Sequence, residues 1–205
     1  MYVMVDLFAG DMTASAAMRD RGWDVRSVDI RWGEDVLKWE WRGGRVDLLW
    51  ASPPCETFSI AGHFKHFRKD GETAHPIDEA GKHSVSMVTR AFELQKDIQP
   101  TWFVLENPQG LLRKIIGPPT DTTWYCQFGD ERAKPTDLWL LPKTGPPGFL
   151  PLPKCRNGSK NHASAPRGAK TGTQGREMNA RSHIPYGLSL RLAEAIEQAA
   201  SMGER

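Results

Sequence analysis

Cys55 stands in Ala51-Ser52-Pro53-Pro54-Cys55-Glu56-Thr57-Phe58-Ser59, directly after the apolar run Val46-Asp47-Leu48-Leu49-Trp50. Further along the chain, a second apolar run, Trp102-Phe103-Val104-Leu105, ends in Glu106-Asn107-Pro108. A thiol and a carboxyl at the C-terminal ends of two buried strands are a nucleophile and an acid aimed into one crevice. Methylation at carbon 5 of a cytosine ring needs both. The thiolate adds to C6 while the acid protonates N3, and C5 becomes an enamine carbon nucleophilic enough to take a methyl group. Cys55 and Glu106 are therefore the candidate catalytic residues, with Asn107 fixing the turn beside them.

The elements that must carry these groups read as alternating strands and helices. Residues 2–8 form a first buried strand, and Met12 to Arg21 carries Ala and Met at helical spacing before Gly22 stops it. Asp24 to Asp29 is a second strand, followed by the turn Gly33-Glu34-Asp35 and a short helix through about Trp41. Residues 46–51 are the strand that delivers the cysteine. From Ser59 to about Ile77 periodicity is lost, which predicts a long mobile loop. Glu79 to Lys96 is helical, with Val85, Val88, Ala91, Phe92 and Gln95 on one face. Strand 102–105 follows, and then Thr122 to Phe128 and Thr136 to Leu141 predict a closing hairpin. The alternation predicts an α/β fold with a doubly wound, mostly parallel sheet. Residues 1–141 are expected to form the catalytic core. Residues 142–183, rich in Pro and Gly, are expected to form a small irregular insertion. In 184–205, Leu188 to Ala200 is an amphipathic terminal helix that returns to the core.

Asp6-Leu7-Phe8-Ala9-Gly10 puts a glycine turn at the end of the first strand, where a nucleotide-like ligand can approach the backbone. Asp29, at the end of the second strand, has the position of a ribose-binding carboxylate. Asp35 is placed to accept from an adenine amino group. Together these three features fit an adenosyl ligand, and the absence of a P-loop or a full GxGxxG argues against ATP or NAD.

Taken in order, Asp6-Leu7-Phe8-Ala9-Gly10, Ser52-Pro53-Pro54-Cys55 with Phe58-Ser59, and Glu106-Asn107-Pro108 resemble the DNA cytosine-5 methyltransferases. The resemblance covers about residues 2–140 and resumes at the final helix. It implies a class I methyltransferase core, S-adenosyl-L-methionine as donor, base flipping and a covalent Cys–C6 adduct. Carried over by position, it implies Phe8, Ala9, Gly10, Asp29, Asp35 and Pro53 at the cofactor. Ser189 joins them through Pro185-Tyr186-Gly187-Leu188-Ser189, which resembles the family's late motif. It implies Pro54, Ser59 and Asn107 at the substrate, and a loop after Cys55 that folds over the flipped base. The family's Gln-x-Arg-x-Arg element has no clean counterpart in Tyr125 to Thr136, where Arg132 or Lys134 would take a share of its role. The target-recognition region of the family is also usually much larger than residues 142–183.

Net charge is only +2, but its distribution is uneven. Residues 154–181 hold seven basic side chains, among them Lys154, Arg156 and Lys160, against one acid, Glu177, with no aromatic residue. That is a footprint for phosphate contact and so for a nucleic-acid polymer, without separating DNA from RNA; the resemblance implies double-stranded DNA as the partner. Cys155 and His162 lack a second ligand pair, and the four histidines from His63 to His83 match no metal spacing, so no metal is expected. Three scattered cysteines make no disulfide framework, and no apolar run reaches membrane length. Without a leader-like N-terminus, a cytoplasmic protein of a bacterial cell or phage-infected host is expected, monomeric by default. Two readings compete with DNA methylation: the same chemistry on RNA, and a DNA-binding relative that has lost catalysis.

Overall fold

The computed structural model describes residues 1–60, 62–156, 159 and 182–203. Its centre is a six-stranded sheet in the order β2-β1-β3-β6-β8-β7. β1 (Val3–Leu7), β2 (Asp24–Val28), β3 (Leu48–Ala51) and β6 (Trp102–Pro108) run parallel, while β8 (Pro135–Leu141) lies antiparallel to β6 and β7 (Asp121–Trp124) antiparallel to β8. The fold is thus α/β with a mostly parallel sheet. β1, β3 and β6 are covered on both faces, which is why their sequences are near-continuous apolar runs, whereas β2 at the sheet edge is half exposed. Successive side chains point to opposite faces. Met4, Leu48, Trp50 and Val104 therefore meet α1 (Ala16–Asp20) and α5 (Tyr186–Gly203), through Met18, Leu188, Leu192 and Ile196. Val5, Leu7, Leu49, Ala51, Phe103 and Leu105 meet α3 (Glu79–Ile98) through Val88, Ala91 and Leu94. Leu94 fills this face with Val88 and Ala91, and Gln95 is only half-buried.

Several elements differ from the sequence expectation for local physical reasons. α1 begins only at Ala16, because Met12 takes a left-handed φ of 58° and the Ser15 hydroxyl turns back to Asp6. The helix expected through Trp41 is a single turn. The Asp35 carbonyl accepts from the amides of Lys38 and Trp39, after which the carbonyl of Trp39 is taken by Arg90 at 2.9 Å. The stretch expected as an aperiodic loop carries α2 (His63–His66) and a hairpin, β4 (Phe67–Asp70) with β5 (Thr73–Pro76). Gly71, at φ +55°, opens its two-residue turn, the position where hairpins favour glycine. Phe67 and Ala74 point inward while Arg68 and Lys69 stay exposed.

The expected closing hairpin also has a break. β7 ends at Trp124, and Tyr125–Phe128 forms a 3-10 turn. In β8, Asp137 is fully buried, with the Arg113 guanidinium paired to it and the Thr122 hydroxyl donating at 2.8 Å, so its charge is compensated. Residues 142–156 pack against the sheet edge and α5: Phe149 and Leu152 are buried in the same cluster as Leu188 and Leu192. No helix among the described residues is long and apolar enough to cross a membrane.

Candidate active site

β3 and β6 are neighbours, with Ala51 opposite Leu105, so the chain segments leaving their C-terminal ends emerge side by side. Pro53 and Pro54 stiffen the exit from β3 and have no N–H to satisfy. The Asn107 amide donates to the Pro53 carbonyl at 2.9 Å, a buried bond that ties the end of β6 to the segment carrying Cys55. Beyond the cysteine, the Phe58 amide donates to the Cys55 carbonyl at 3.1 Å and the Leu111 amide to the Phe58 carbonyl at 2.8 Å. Phe58 is fully buried against Phe67. A Cβ at Gly110 would lie 2.5 Å from the Phe58 carbonyl, so only glycine permits this approach. Ser59 closes the turn, its hydroxyl donating to the Glu56 carbonyl at 2.9 Å.

Cys55 itself is half-buried. Burial pushes its thiol up to about 11, with the carboxylates of Glu56 and Glu106 adding to the rise and Lys134 opposing it. Glu106 is 3% exposed. Its Oε1 accepts from the Tyr125 hydroxyl at 2.8 Å and from the Thr136 hydroxyl. Tyr125 is fully buried, and burial, followed by the charge of Glu106, holds its phenol well above the ordinary value.

Of the two basic residues expected beside the acid, Lys134 has its ammonium 4.5 Å from the centre of the Tyr125 ring. Burial lowers its pKa, while Glu106 and Cys55 pull the other way. Arg132 is buried and forked onto Asp130, and it donates to the His183 carbonyl at 3.2 Å. Its charge is matched within its own turn, whereas Lys134 is the cation whose field reaches both Cys55 and Glu106.

A second set of groups gathers at the ends of β1 and β2. Phe8 and Gly10 both take left-handed φ angles, 60° and 53°. The Gly10 amide donates to Asp29 Oδ2 at 2.8 Å and the Arg31 amide to Oδ1 at 2.9 Å. A Cβ on Gly10 would lie 3.0 Å from Arg31 Nη2. Ala9 is held through its amide to the Val28 carbonyl. Asp35 caps the next turn, accepting from the Leu37 amide at 3.0 Å. Ser189 is buried in the first turn of α5. The approach to that helix is fastened to the glycine turn, His183 to Asp11 at 2.9 Å and the Ile184 amide to Thr13 Oγ1 at 2.9 Å.

Four residues at these sites were not singled out from the sequence. Asp6 is buried, accepts from Ser15 at 2.6 Å, and is pushed up to about 6, chiefly by burial. Its Oδ1 has no hydrogen-bond partner. Ile30 follows Asp29 and is 68% exposed. An apolar residue directly after a strand-end carboxylate was the available signal for it. Tyr125 and Thr136 carried no such signal, because only the pairing of β8 with β6 and the break after β7 bring their hydroxyls to Glu106.

The basic segment is only partly described. Lys154 is ion-paired with Asp121 and also donates to the Thr122 carbonyl. Arg156 is exposed. Lys160 and the remaining basic residues up to Arg181 lie outside the described residues. No group of three metal-ligating side chains occurs among the described residues.

A family model described as C-5 cytosine-specific DNA methylase matches residues 5–122. The "Probable DNA (cytosine-5)-methyltransferase" of Frog virus 3 (isolate Goorha) is 27% identical over 215 residues, covering 93% of this chain and 98% of that protein. A solved structure, described as a "putative DNA modification methyltransferase encoded within prophage" from E. coli, is 15% identical with a TM-score of 0.47. The match covers 68% of this chain and 46% of that one, so this chain spans about half of its length.

Proposed function

The chain belongs to the C-5 cytosine-specific DNA methylase family, and on that premise we propose that it methylates C5 of a flipped cytosine in double-stranded DNA through a covalent Cys55–C6 adduct. The observation that carries this reading is the pairing of a strand-end thiol with a buried carboxyl on adjacent parallel strands, locked together by the Asn107–Pro53 bond. The base leaves the helix at an unstacking cost of a few kcal/mol, repaid by pocket contacts. The Cys55 thiol passes its proton to the Glu106 carboxylate, the thiolate bonds to C6 as Glu106 gives that proton to N3, and the C5–C6 π electrons become the nucleophile that accepts the methyl group. A base or an ordered water then takes the C5 proton, and the sulfur leaves by β-elimination as Glu106 recovers its proton from N3. Lys134 supplies positive charge beside both groups.

S-adenosylmethionine, the methyl donor in this reading, supplies an electrophilic methyl on a sulfonium. The residues at the ends of β1 and β2 fit it. Gly10 opens the backbone, Asp29 and Asp35 offer carboxylates to ribose and adenine, and exposed Ile30 offers a flat apolar contact. Buried Asp6 keeps an unpartnered oxygen. Phe8, Ala9, Pro53 and Ser189 complete the lining. Pro54, Ser59 and Asn107 position the base. Within 142–183, whose first part packs on the core, Arg156, Lys160 and the basic residues that follow act as a small target-recognition insertion contacting phosphates, with Lys154 tied to β7. The enzyme works in the cytoplasm as a monomer and needs no metal.

Parallel assays with labelled S-adenosylmethionine on duplex DNA, single-stranded DNA and transfer RNA test the substrate. Duplex DNA is expected to be labelled fastest, with bisulfite sequencing placing the methyl on cytosine. Preferential labelling of transfer RNA would overturn the choice of DNA, and labelling of neither would overturn the activity. The cofactor assignment has its own expected outcome. Asp29→Ala removes a charged acceptor and should raise the Kd for S-adenosylmethionine about 10- to 100-fold, the range for a hydrogen bond to a charged group. Calorimetric titration with an unchanged Kd would move the cofactor away from the Gly10 turn.

A further inference from the structure

A carboxyl that delivers a proton has two oxygens, and only one of them can carry the proton toward the base. We propose that Tyr125 and Thr136 form a clamp that keeps Glu106 Oε1 an acceptor throughout the reaction, so that Oε2 is the oxygen that protonates N3. This inference rests on Glu106 being the N3 acid.

The two hydroxyls reach the same oxygen from different elements. The Tyr125 hydroxyl, from the 3-10 turn, donates to Oε1 at 2.8 Å, and the Thr136 hydroxyl, from β8, donates to it as well. Thr136 is fixed by strand pairing on both sides, opposite Pro108 of β6 and Thr123 of β7. Glu106 is 3% exposed, and Tyr125 and Thr136 are each 0% exposed. No bulk water can substitute for either donor, and rotation of the carboxyl would break both bonds at once. An oxygen that accepts two O–H bonds is the carbonyl oxygen when the acid is protonated and a carboxylate oxygen after the proton has left, so the clamp serves both states.

The clamp also acts on the proton transfer itself. As the proton passes to N3, Glu106 becomes negative, and hydrogen bonds to an ionised acceptor are roughly twice as strong as neutral ones. The two donors thus favour the transition state over the bound ground state, which raises turnover rather than binding. Other charged groups surround the site. Lys134 lies over the Tyr125 ring at 4.5 Å, Arg132 lies 5.5 Å from the same ring with Asp130 matching its charge, and Cys55 lies within the field of Glu106. None of these replaces a directed O–H donor on Oε1.

Tyr125 and Thr136 are therefore positioning residues. Tyr125→Phe keeps the buried ring and Thr136→Val keeps the side-chain shape, and each should lower kcat about 10- to 100-fold, the loss expected from one hydrogen bond to a charged group. The KM for DNA and the Kd for S-adenosylmethionine should stay within about threefold. Thr136→Ser, which restores the hydroxyl, should recover turnover to within about threefold of the wild type. In a Glu106→Gln background, adding Tyr125→Phe should change the rate less than twofold, because the clamp acts only through the acid. If Glu106→Gln is inactive while Tyr125→Phe and Thr136→Val turn over at the wild-type rate, the clamp is overturned and the acid assignment stands. If Glu106→Gln itself retains full turnover, the acid assignment falls and the clamp with it. Equal losses in both backgrounds, or no rescue by serine, would mean that the hydroxyls act on folding and would overturn the clamp.

Discussion

Replacing Cys55 by serine removes methyl transfer, with a rate loss of about 10³-fold or more, while the protein keeps its fold and its affinity for S-adenosylmethionine. The substitution exchanges one small atom in a half-buried position, so packing changes little. An alcohol at neutral pH supplies almost no anion, whereas a thiol does so within reach of its surroundings. In the ligand-free protein even the thiol is held back. With its pKa pushed up to about 11, only about one molecule in 10⁴ carries the thiolate at pH 7. Alkylation of Cys55 by iodoacetamide should accordingly be slow at pH 7 and rise about tenfold per pH unit below 11, with the Cys55→Ser protein as the control for labelling at the two other free thiols, Cys126 and Cys155. Fast, pH-independent labelling would mean that the thiolate is preformed. Duplex DNA carrying 5-fluorocytosine should trap the wild type in a denaturant-resistant complex, since fluorine cannot leave as a proton does. Absence of that complex, or transfer by Cys55→Ser above a few per cent of the wild-type rate, would remove the cysteine from the mechanism.

The parts of this site that were legible in the sequence are those in which one residue type has few alternative uses. A cysteine between two prolines and a phenylalanine at the end of a Leu-Leu-Trp strand is not packing material, and Glu106 ending Phe-Val-Leu is not a surface acid. The sheet was legible because three of its strands, β1, β3 and β6, are buried on both faces and written as near-continuous apolar runs. The hairpin β4–β5 was missed although its Gly71-Glu72 turn was there to read, because the flanking strands are rich in charged residues and show little alternation. Tyr125 and Thr136 were beyond reach for a different reason. Their hydroxyls converge on Glu106 only through the antiparallel addition of β8 to a parallel sheet, a register that no local pattern encodes. The same holds for Lys134 and Arg132. In sequence they are equivalent candidates for one role, and the fold separates them by forking Arg132 onto Asp130 and setting Lys134 over the Tyr125 ring, where its field reaches the thiol.

Replacing Glu106 by glutamine is expected to lower the methylation rate by about two to four orders of magnitude, the span for a positioned general acid or base. The amide has the shape of the carboxyl and can sit in the same place, because its oxygen still accepts from Tyr125 and Thr136. Its NH₂ group can also donate a hydrogen bond to N3, so recognition of the base survives in part. It cannot release a proton at neutral pH, and without protonation at N3 the electrons of the ring have nowhere to go when sulfur approaches C6. The loss should therefore fall on the chemical step. Single-turnover rates with saturating DNA and S-adenosylmethionine should drop by the full factor, while the Kd for S-adenosylmethionine moves by less than about threefold, because Asp29 and the Gly10 turn lie at the ends of other strands. Removing the negative charge also has a measurable consequence at the cysteine. Glu106 is one of the groups that raise the Cys55 pKa, so iodoacetamide should label Cys55 faster in Glu106→Gln than in the wild type at the same pH. An enzyme that is catalytically dead and yet has a more reactive thiol has lost a step other than formation of the nucleophile. If instead cofactor affinity collapsed while the rate at saturating cofactor held, Glu106 would belong to the cofactor site and the proton for N3 would have to come from another group.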